Sequence, residues 1–360
     1  MTTAYIALGS NLGDRAEYIK QATALLSQSE GVEICRLSSV IETEALSDEK
    51  LPEFLNAVVE IQTTLSAEDL LKTTSWIEKT LGRIGSDKKW QSRTIDLDIL
   101  LFGSEIIKTD DLTVPHSQMH LRSFVLAGMC ELDRTLTHPV LKDSMGQLAD
   151  RLGGRDFALN PEAAQLISVA GVIGAGKTTL AQAISERLGC ELIREEYDSN
   201  PFLAEVYAGK NEFALDSEIF FLMSRAEQLN TKVLKPTVVA VGDYVVEKEL
   251  IYAKNWLNSR QQSLYAKVNH AVNADLVQPV LVIYLQTSPQ ECMKRIHGRK
   301  RPYEQKIKLD FLQALDREYE KLFADWNKSP LFRIADEEFD SRDDDCVGAL
   351  VEKIKNYIVG

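Results

Sequence analysis

Residues 4–9 run apolar on alternate positions and end in Ser10-Asn11-Leu12-Gly13, which predicts a short strand and a turn. Behind the turn, Ile19, Ala22, Leu25 and Leu26 fall on one face at helical spacing. Residues 32–43 and 56–64 read as strands. Ser66, with Asp69 three positions on, opens a helix whose apolar face is Leu70, Leu71, Ile77 and Leu81. A polar loop over 82–93 then leads to a strand over 94–102. Strands and helices mix here without strict alternation, the pattern of a small α+β domain. Residues 153–165 have no clear period, and a linker is set at 156–164 between domains 1–155 and 165–360. Beyond it the texture changes. Residues 166–170 form an apolar strand, a glycine-rich turn follows, and Leu180, Ala183, Ile184 and Leu188 make a helical stripe ended by Gly189. The apolar runs 238–241 and 280–285, separated by long helical stretches, read as buried strands of a parallel sheet.

Composition narrows the picture. The chain has 360 residues, enough for two cores, and its formal charge of −13 opposes a polynucleotide partner, which would need a basic stripe. No apolar run reaches the length of a membrane helix, and no basic segment precedes Arg15, so neither a membrane span nor a signal peptide is expected. Five scattered cysteines without a CxxC pair read as reduced thiols of a cytoplasmic protein, not as a zinc or disulfide site.

Two segments carry chemistry. Gly171-Val-Ile-Gly174-Ala175-Gly176-Lys177-Thr178, followed by Thr179, fits the phosphate-binding pattern G-x-x-x-x-G-K-[ST] between a strand and a helix. Glycines let backbone N–H groups converge on phosphate, Lys177 reaches the β- and γ-phosphates, and the Thr178 hydroxyl ligates one magnesium ion. Residues 294–301 hold five Lys or Arg in eight positions. There Arg295 and Arg299, at i and i+4, could aim two guanidinium groups at transferring phosphate. Upstream, Thr94-Ile-Asp96-Leu-Asp98-Ile alternates with period two. Asp96 and Asp98 therefore share a face, close enough to hold one magnesium ion or bracket two.

The second half resembles the deoxynucleoside kinase family over about residues 165–360. The resemblance is carried by the phosphate loop, by Glu195-Glu196-Tyr197-Asp198-Ser199-Asn200-Pro201, by Ile219-Phe220-Phe221-Leu222 with Arg225, and by Arg295-Ile-x-x-Arg299-x-Arg301-x-x-Glu304. It implies an α/β domain in which Glu195 takes the proton of a nucleoside 5′-hydroxyl and Tyr207 and Glu304 hold the sugar. Arg295, Arg299 and Arg301 would close as a lid on ATP, and a homodimer would form through this half. Two positions depart from the family pattern. The family's Asp-Arg-Ser is Asp243-Tyr244-Val245 here, so the acid persists and the arginine is gone. The family's base-reading glutamine is Glu218, and an ionised carboxylate offers acceptors only, which suits the paired donors of guanine or, less well, of a pterin alcohol.

The first half resembles 6-hydroxymethyl-7,8-dihydropterin pyrophosphokinase over about residues 1–155. The carrying motifs are Ala4-Tyr-Ile-Ala-Leu-Gly9-Ser-Asn-Leu-Gly13, Phe54-Leu-Asn56, Arg93-Thr-Ile-Asp96-Leu-Asp98, Leu112-Thr113-Val-Pro-His116 and Arg122-Ser-Phe124. The resemblance implies a ferredoxin-like α+β fold and transfer of pyrophosphate from ATP to the pterin hydroxymethyl group. Asp96 and Asp98 would bind two magnesium ions, with Arg83 and Arg93 acting on the transferring phosphates. Glu78, Thr113, His116 and Arg122 would meet ATP. Asn56, Thr43 and Leu46 would hold the pterin between Phe54 and Phe124, with Trp90 closing over it. The family's proline-rich pterin loop is Thr43-Glu44-Ala45-Leu46 here.

The whole chain then reads as a bifunctional ATP-dependent transferase of folate biosynthesis fused to a deoxynucleoside kinase. The alternative is a second half that binds nucleotide as a regulatory or dimerising module without turnover.

Overall fold

The computed structural model describes residues 1–45, 51–83, 92–337 and 339–359, and divides into two compact units, Met1–Ala158 and Leu159–Gly360. In the first unit the strands are β1 (Thr2–Ser10), β2 (Val32–Leu37), β3 (Ile41–Thr43), β4 (Phe54–Thr63) and β5 (Asp96–Phe102). They form an antiparallel sheet in the order β2-β4-β1-β5, with β3 paired to β4. Helices α1 (Arg15–Gln28) and α2 (Ala67–Thr80) connect them in the order β-α-β-β-β-α-β, the β-α-β-β-α-β order of a ferredoxin-like fold with the short β3 added between β2 and β4. Ile19, Ala22 and Leu26 from α1 and Leu70 and Ile77 from α2 share one core with Ile6, Leu8, Ile61, Leu97 and Ile99. Ser66 caps α2 by accepting the Asp69 N–H at 3.1 Å. A small hairpin of β6 (Ile107–Lys108) and β7 (Thr113–Val114) follows, then α3 (Ser123–Asp133) and α4 (Met145–Leu152).

The single strand expected over 32–43 is broken. Ser38 pairs with Val58 through its N–H and through its hydroxyl, each at 2.9 Å, and so interrupts the ladder between β2 and β3. The strand expected from residue 94 begins instead at Asp96. Ser10 Oγ donates to the Thr94 carbonyl at 2.5 Å and Asn11 Oδ1 accepts the Arg93 N–H at 2.7 Å, so the groups a ladder would use are already taken.

The second unit is a five-stranded parallel sheet in the order β12-β11-β8-β10-β9. Its elements in chain order are β8 (Gln165–Ala170), α5 (Lys177–Leu188), β9 (Glu191–Ile193), α6 (Leu203–Tyr207), α7 (Ala214–Leu229), β10 (Val239–Gly242), α8 (Lys248–Trp256) and α9 (Ser259–Asn273). Then come β11 (Leu281–Gln286), α10 (Pro289–Arg299), α11 (Leu309–Ala324), β12 (Leu331–Ala335) and α12 (Asp344–Ile354). The edge strands β9 and β12 escape the hydrophobic pattern because each is short and buries its residues unevenly. Helix α5 buries Leu180, Ala181, Ile184 and Ser185, while Ala183 and Leu188 are only half-buried. The helix packs against α12 as well as the sheet, which turns its buried face away from the predicted stripe.

Candidate active sites

In the first unit, antiparallel register builds the site. Gly9 stands between Asn56 on β4 and Asp96 on β5, and Ala7 stands beside Asp98, so both carboxylates and the amide rise from one sheet face. The opposite face carries the core. A side chain at Gly9 would press on the site, since a Cβ there would lie 3.1 Å from Asn56 Oδ1 and the amide would have to give way. Asn56 Nδ2 in turn donates to Thr43 Oγ1 at 2.8 Å.

Above this face is a cavity of about 330 Å³ lined by Thr43, Phe54, Asn56, Arg83, Arg93, Asp96, Asp98, His116, Arg122 and Phe124 among others. Asp96 pairs with Arg83 at 2.6 Å and with Arg93, while Arg122 lies 3.7 Å from Asp98. Asp98 keeps 37% of its side-chain surface open, yet the crowded cleft floor and the Asp96 charge push its carboxyl up to about 6. Burial, helped by the Arg122 charge, holds His116 down at about 4, so its ring is neutral. The donor set suits a divalent cation: two adjacent carboxylates, one of them reluctant to ionise alone. Among the described residues no group of three or more His, Cys, Asp or Glu could hold a metal, so further ligands would come from polyphosphate or water.

Glu78 and Thr113 do not line the cavity. Glu78 accepts the Leu97 N–H at 2.8 Å and pairs with Arg83, which places it behind Asp96 as a support for the arginine; burial pushes it up to about 7. Thr113 is exposed on β7. Leu46 and Trp90 lie outside the described residues. Two contributors had no assigned role in the sequence reading: Gln118, which lines the cavity, and Asn11, whose hydrogen bonds to residue 93 set the entry of β5. Asn11 sits inside the first motif, which was the available signal.

In the second unit, Gly174, Lys177, Thr178, Glu195, Tyr207, Glu218, Asp243, Arg299, Arg301 and Glu304 converge on a cavity of about 80 Å³. The phosphate loop runs from β8 into α5. Gly174 has a φ of +86°, and a Cβ on it would meet the Cys292 carbonyl at 2.7 Å. Lys177 Nζ donates to the Val172 carbonyl at 3.0 Å, and burial lowers its pKa. Asp243, at the end of β10, accepts from Thr178 Oγ1 at 2.6 Å and from the Glu195 N–H at 2.8 Å, tying the loop to the acid.

Glu195 is held by Lys248 and Arg225. Burial works to raise it, but the two cations outweigh that and hold the carboxyl at about 2. Glu304 accepts from Arg299 at 2.6 and 2.8 Å, and Arg301 donates to the Tyr197 hydroxyl at 2.6 Å. Tyr207 stacks on Tyr303 and meets Trp256 edge-on.

Gly171, Ala175, Gly176, Thr179 and Arg295 do not line this cavity. Arg295 binds both Asp336 oxygens at 2.8 Å and donates to the Ala175 carbonyl at 3.3 Å, so it braces the loop from outside. Glu218 is 2% exposed, and burial pushes it up to about 8. With its proton on, such a carboxyl offers one donor and one acceptor; ionised, it offers the acceptor-only edge. Lys248, Tyr252 and Trp256 line the cavity without belonging to any motif. Their only sequence signal is their place on the helix that follows Asp243.

Residues 5–134 match the family model for 7,8-dihydro-6-hydroxymethylpterin-pyrophosphokinase, and residues 167–359 match that for deoxynucleoside kinase. Over 129 residues, 36% of this chain and 77% of the other, the sequence is 50% identical to the 2-amino-4-hydroxy-6-hydroxymethyldihydropteridine pyrophosphokinase of Bacillus subtilis. Over 160 residues, 44% of this chain and 77% of the other, it is 36% identical to the deoxyguanosine kinase of the same organism. Over 156 residues, 43% of this chain and 21% of the other, it is 35% identical to the folic acid synthesis protein fol1 of Schizosaccharomyces pombe.

Proposed function

Because the chain belongs to the 7,8-dihydro-6-hydroxymethylpterin-pyrophosphokinase family through its first unit and to the deoxynucleoside kinase family through its second, we propose that its two cavities are separate active sites. The protein is a pyrophosphokinase of folate biosynthesis joined to a deoxynucleoside kinase, and both halves use ATP. A second half that binds nucleotide without turnover is not the reading the relatives favour.

In the first site, Asp96 and Asp98 would hold magnesium, with two ions as the family resemblance implies. The metal supplies neutralisation of charge on the transferring group. The pterin hydroxyl oxygen bonds to the β-phosphorus of ATP, the bond from that phosphorus to the α,β-bridging oxygen breaks with its electron pair leaving on AMP, and the hydroxyl proton passes to the departing phosphate or water. Arg83 and Arg93, now on Asp96, are placed to turn their donors to the polyphosphate. Asn56 offers an amide to the pterin edge, and Phe54 and Phe124 flank the ring. The observation that carries this reading is the shared sheet face of Asn56, Asp96 and Asp98 beneath three arginines.

In the second site, Glu195 would receive the 5′-hydroxyl proton while Lys177 and the loop amides cradle ATP. Thr178 would hold its magnesium. Phosphoryl transfer asks little basicity of such a group, so a strongly ionised carboxylate serves as acceptor and guide. Arg299 and Arg301 would swing from Glu304 and Tyr197 onto phosphate, freeing Glu304 and Tyr207 for the sugar. Deoxyguanosine is the proposed acceptor, on the strength of the relative of that name; Glu218 in the cavity would serve it in its ionised form. A homodimer through this unit is what the resemblance to deoxynucleoside kinases implies. Among the described residues no helix is long and apolar enough to cross a membrane. The five free cysteines fit the reducing cytoplasm.

The test is a pterin and nucleoside panel on the full chain. Asp96→Ala should abolish pterin transfer alone, and Lys177→Ala nucleoside phosphorylation alone. Loss of both activities from either substitution would defeat separate sites.

A further inference from the structure

The segment directly after β10, Asp243-Tyr244-Val245, carries no cation, and Tyr244 stays out of the site. Tyr244 is buried, its hydroxyl donates to Gln228 at 2.7 Å, and its ring lies under Arg225, 5.2 Å from the guanidinium carbon. It does not line the cavity. A cation reaches Glu195 by another route. Lys248, the first residue of α8, places Nζ on Glu195 Oε2, while Arg225 from α7 holds Oε1. The Lys248 side chain is 6% exposed, lines the cavity, and lies with Nζ 5.5 Å from the centre of the Tyr252 ring. Burying an ammonium group is unfavourable, and an apolar side chain of similar length would fill the space without that cost. A lysine kept there points to the chemistry of its partner.

We propose that Lys248 is a positioning residue for phosphoryl transfer, fixing the Glu195 carboxylate from α8 and supplying the positive charge that Asp243-Tyr244-Val245 omits. This rests on Glu195 as proton acceptor. In that step the 5′-oxygen bonds to the γ-phosphorus, and the bond from that phosphorus to the β,γ-bridging oxygen breaks. Its electron pair leaves on ADP, and the hydroxyl proton passes to Glu195. A carboxylate gripped at both oxygens from two helices has one orientation. Released from Lys248, it can swing about its remaining contact, and a misplacement of about 1 Å costs about 100-fold in rate.

The experiment is steady-state phosphorylation of deoxyguanosine, deoxyadenosine, deoxycytidine and thymidine by the full chain and its Lys248→Met, Lys248→Arg and Glu195→Gln variants. Lys248→Met should lower kcat about 100-fold with the KM for ATP moved less than about threefold. Lys248→Arg should recover at least about a tenth of the wild-type kcat, since it restores the charge. ATP should still raise the thermal midpoint of Lys248→Met; if it does not, Lys248→Gln takes its place in the comparison. Wild-type kcat in Lys248→Met beside an inactive Glu195→Gln would overturn the role of Lys248. So would a Lys248→Arg as slow as Lys248→Met. Wild-type kcat in Glu195→Gln would instead overturn the assignment of Glu195.

Discussion

Glu218 shows how one atom's difference from an amide is modulated by burial. Its carboxyl faces the opposed influence of Arg225 and Lys248, which lower it, and of Glu195, which raises it, but desolvation dominates and brings it to about 8. Guanine offers two donors and so needs the ionised form. Below pH 8 less than half of the pocket is competent, and the apparent KM for deoxyguanosine should fall about ninefold from pH 6 to 7 and about fivefold from pH 7 to 8. Glu218→Gln should flatten that dependence and move preference toward deoxyadenosine or deoxycytidine by about tenfold or more. Measuring kcat/KM for each nucleoside at pH 6, 7 and 8 checks both. A flat wild-type profile would count against Glu218 reading the base.

At the scale of elements, the two sites are reached by different means. Asp96 and Asp98 stand together because a strand repeats every two residues, a local property that survives any packing of the sheet. The phosphate loop depends on a strand, a turn and a helix held under a neighbouring helix. Gly174→Ala should therefore act beyond its own turn, since its Cβ would press on the α10 backbone at Cys292. ATP binding by the second unit should drop by at least about tenfold, with pterin pyrophosphorylation unchanged; calorimetry with an ATP analogue that cannot be hydrolysed checks this. Both breaks in the predicted strands of the first unit trace to side chains that compete for backbone groups, Ser38 with Val58 and Asn11 with residue 93. Hydrophobic periodicity carries no signal for that competition.

At the scale of the molecule, each unit holds its own core and its own cavity. We place the connecting segment at 156–164, which carries Asn160-Pro161 and no clear hydrophobic period. A protease site inserted at 160 and cut after folding should leave both activities at about their uncut values, measured on the separated fragments. Loss of either would show that one unit depends on the other.

The sequence by itself determined the two families, the paired aspartates, the phosphate loop and most residues of both cavities, because these are short motifs whose chemistry follows from residue type and spacing. The α+β and parallel-sheet classes followed from periodicity, except for β9 and β12, which are too short to show any, and the ferredoxin-like topology from the family resemblance. Only the tertiary structure decided the rest. It set Glu78 behind Arg83 and Arg295 against Asp336, and it brought Lys248 to Glu195 across 53 positions of chain. Burial, which no local window contains, pushed the Glu218 carboxyl above the usual carboxylate range. Charge state and long-range pairing depend on what surrounds a side chain in space, and that environment exists only once the sheet and helices have closed around it.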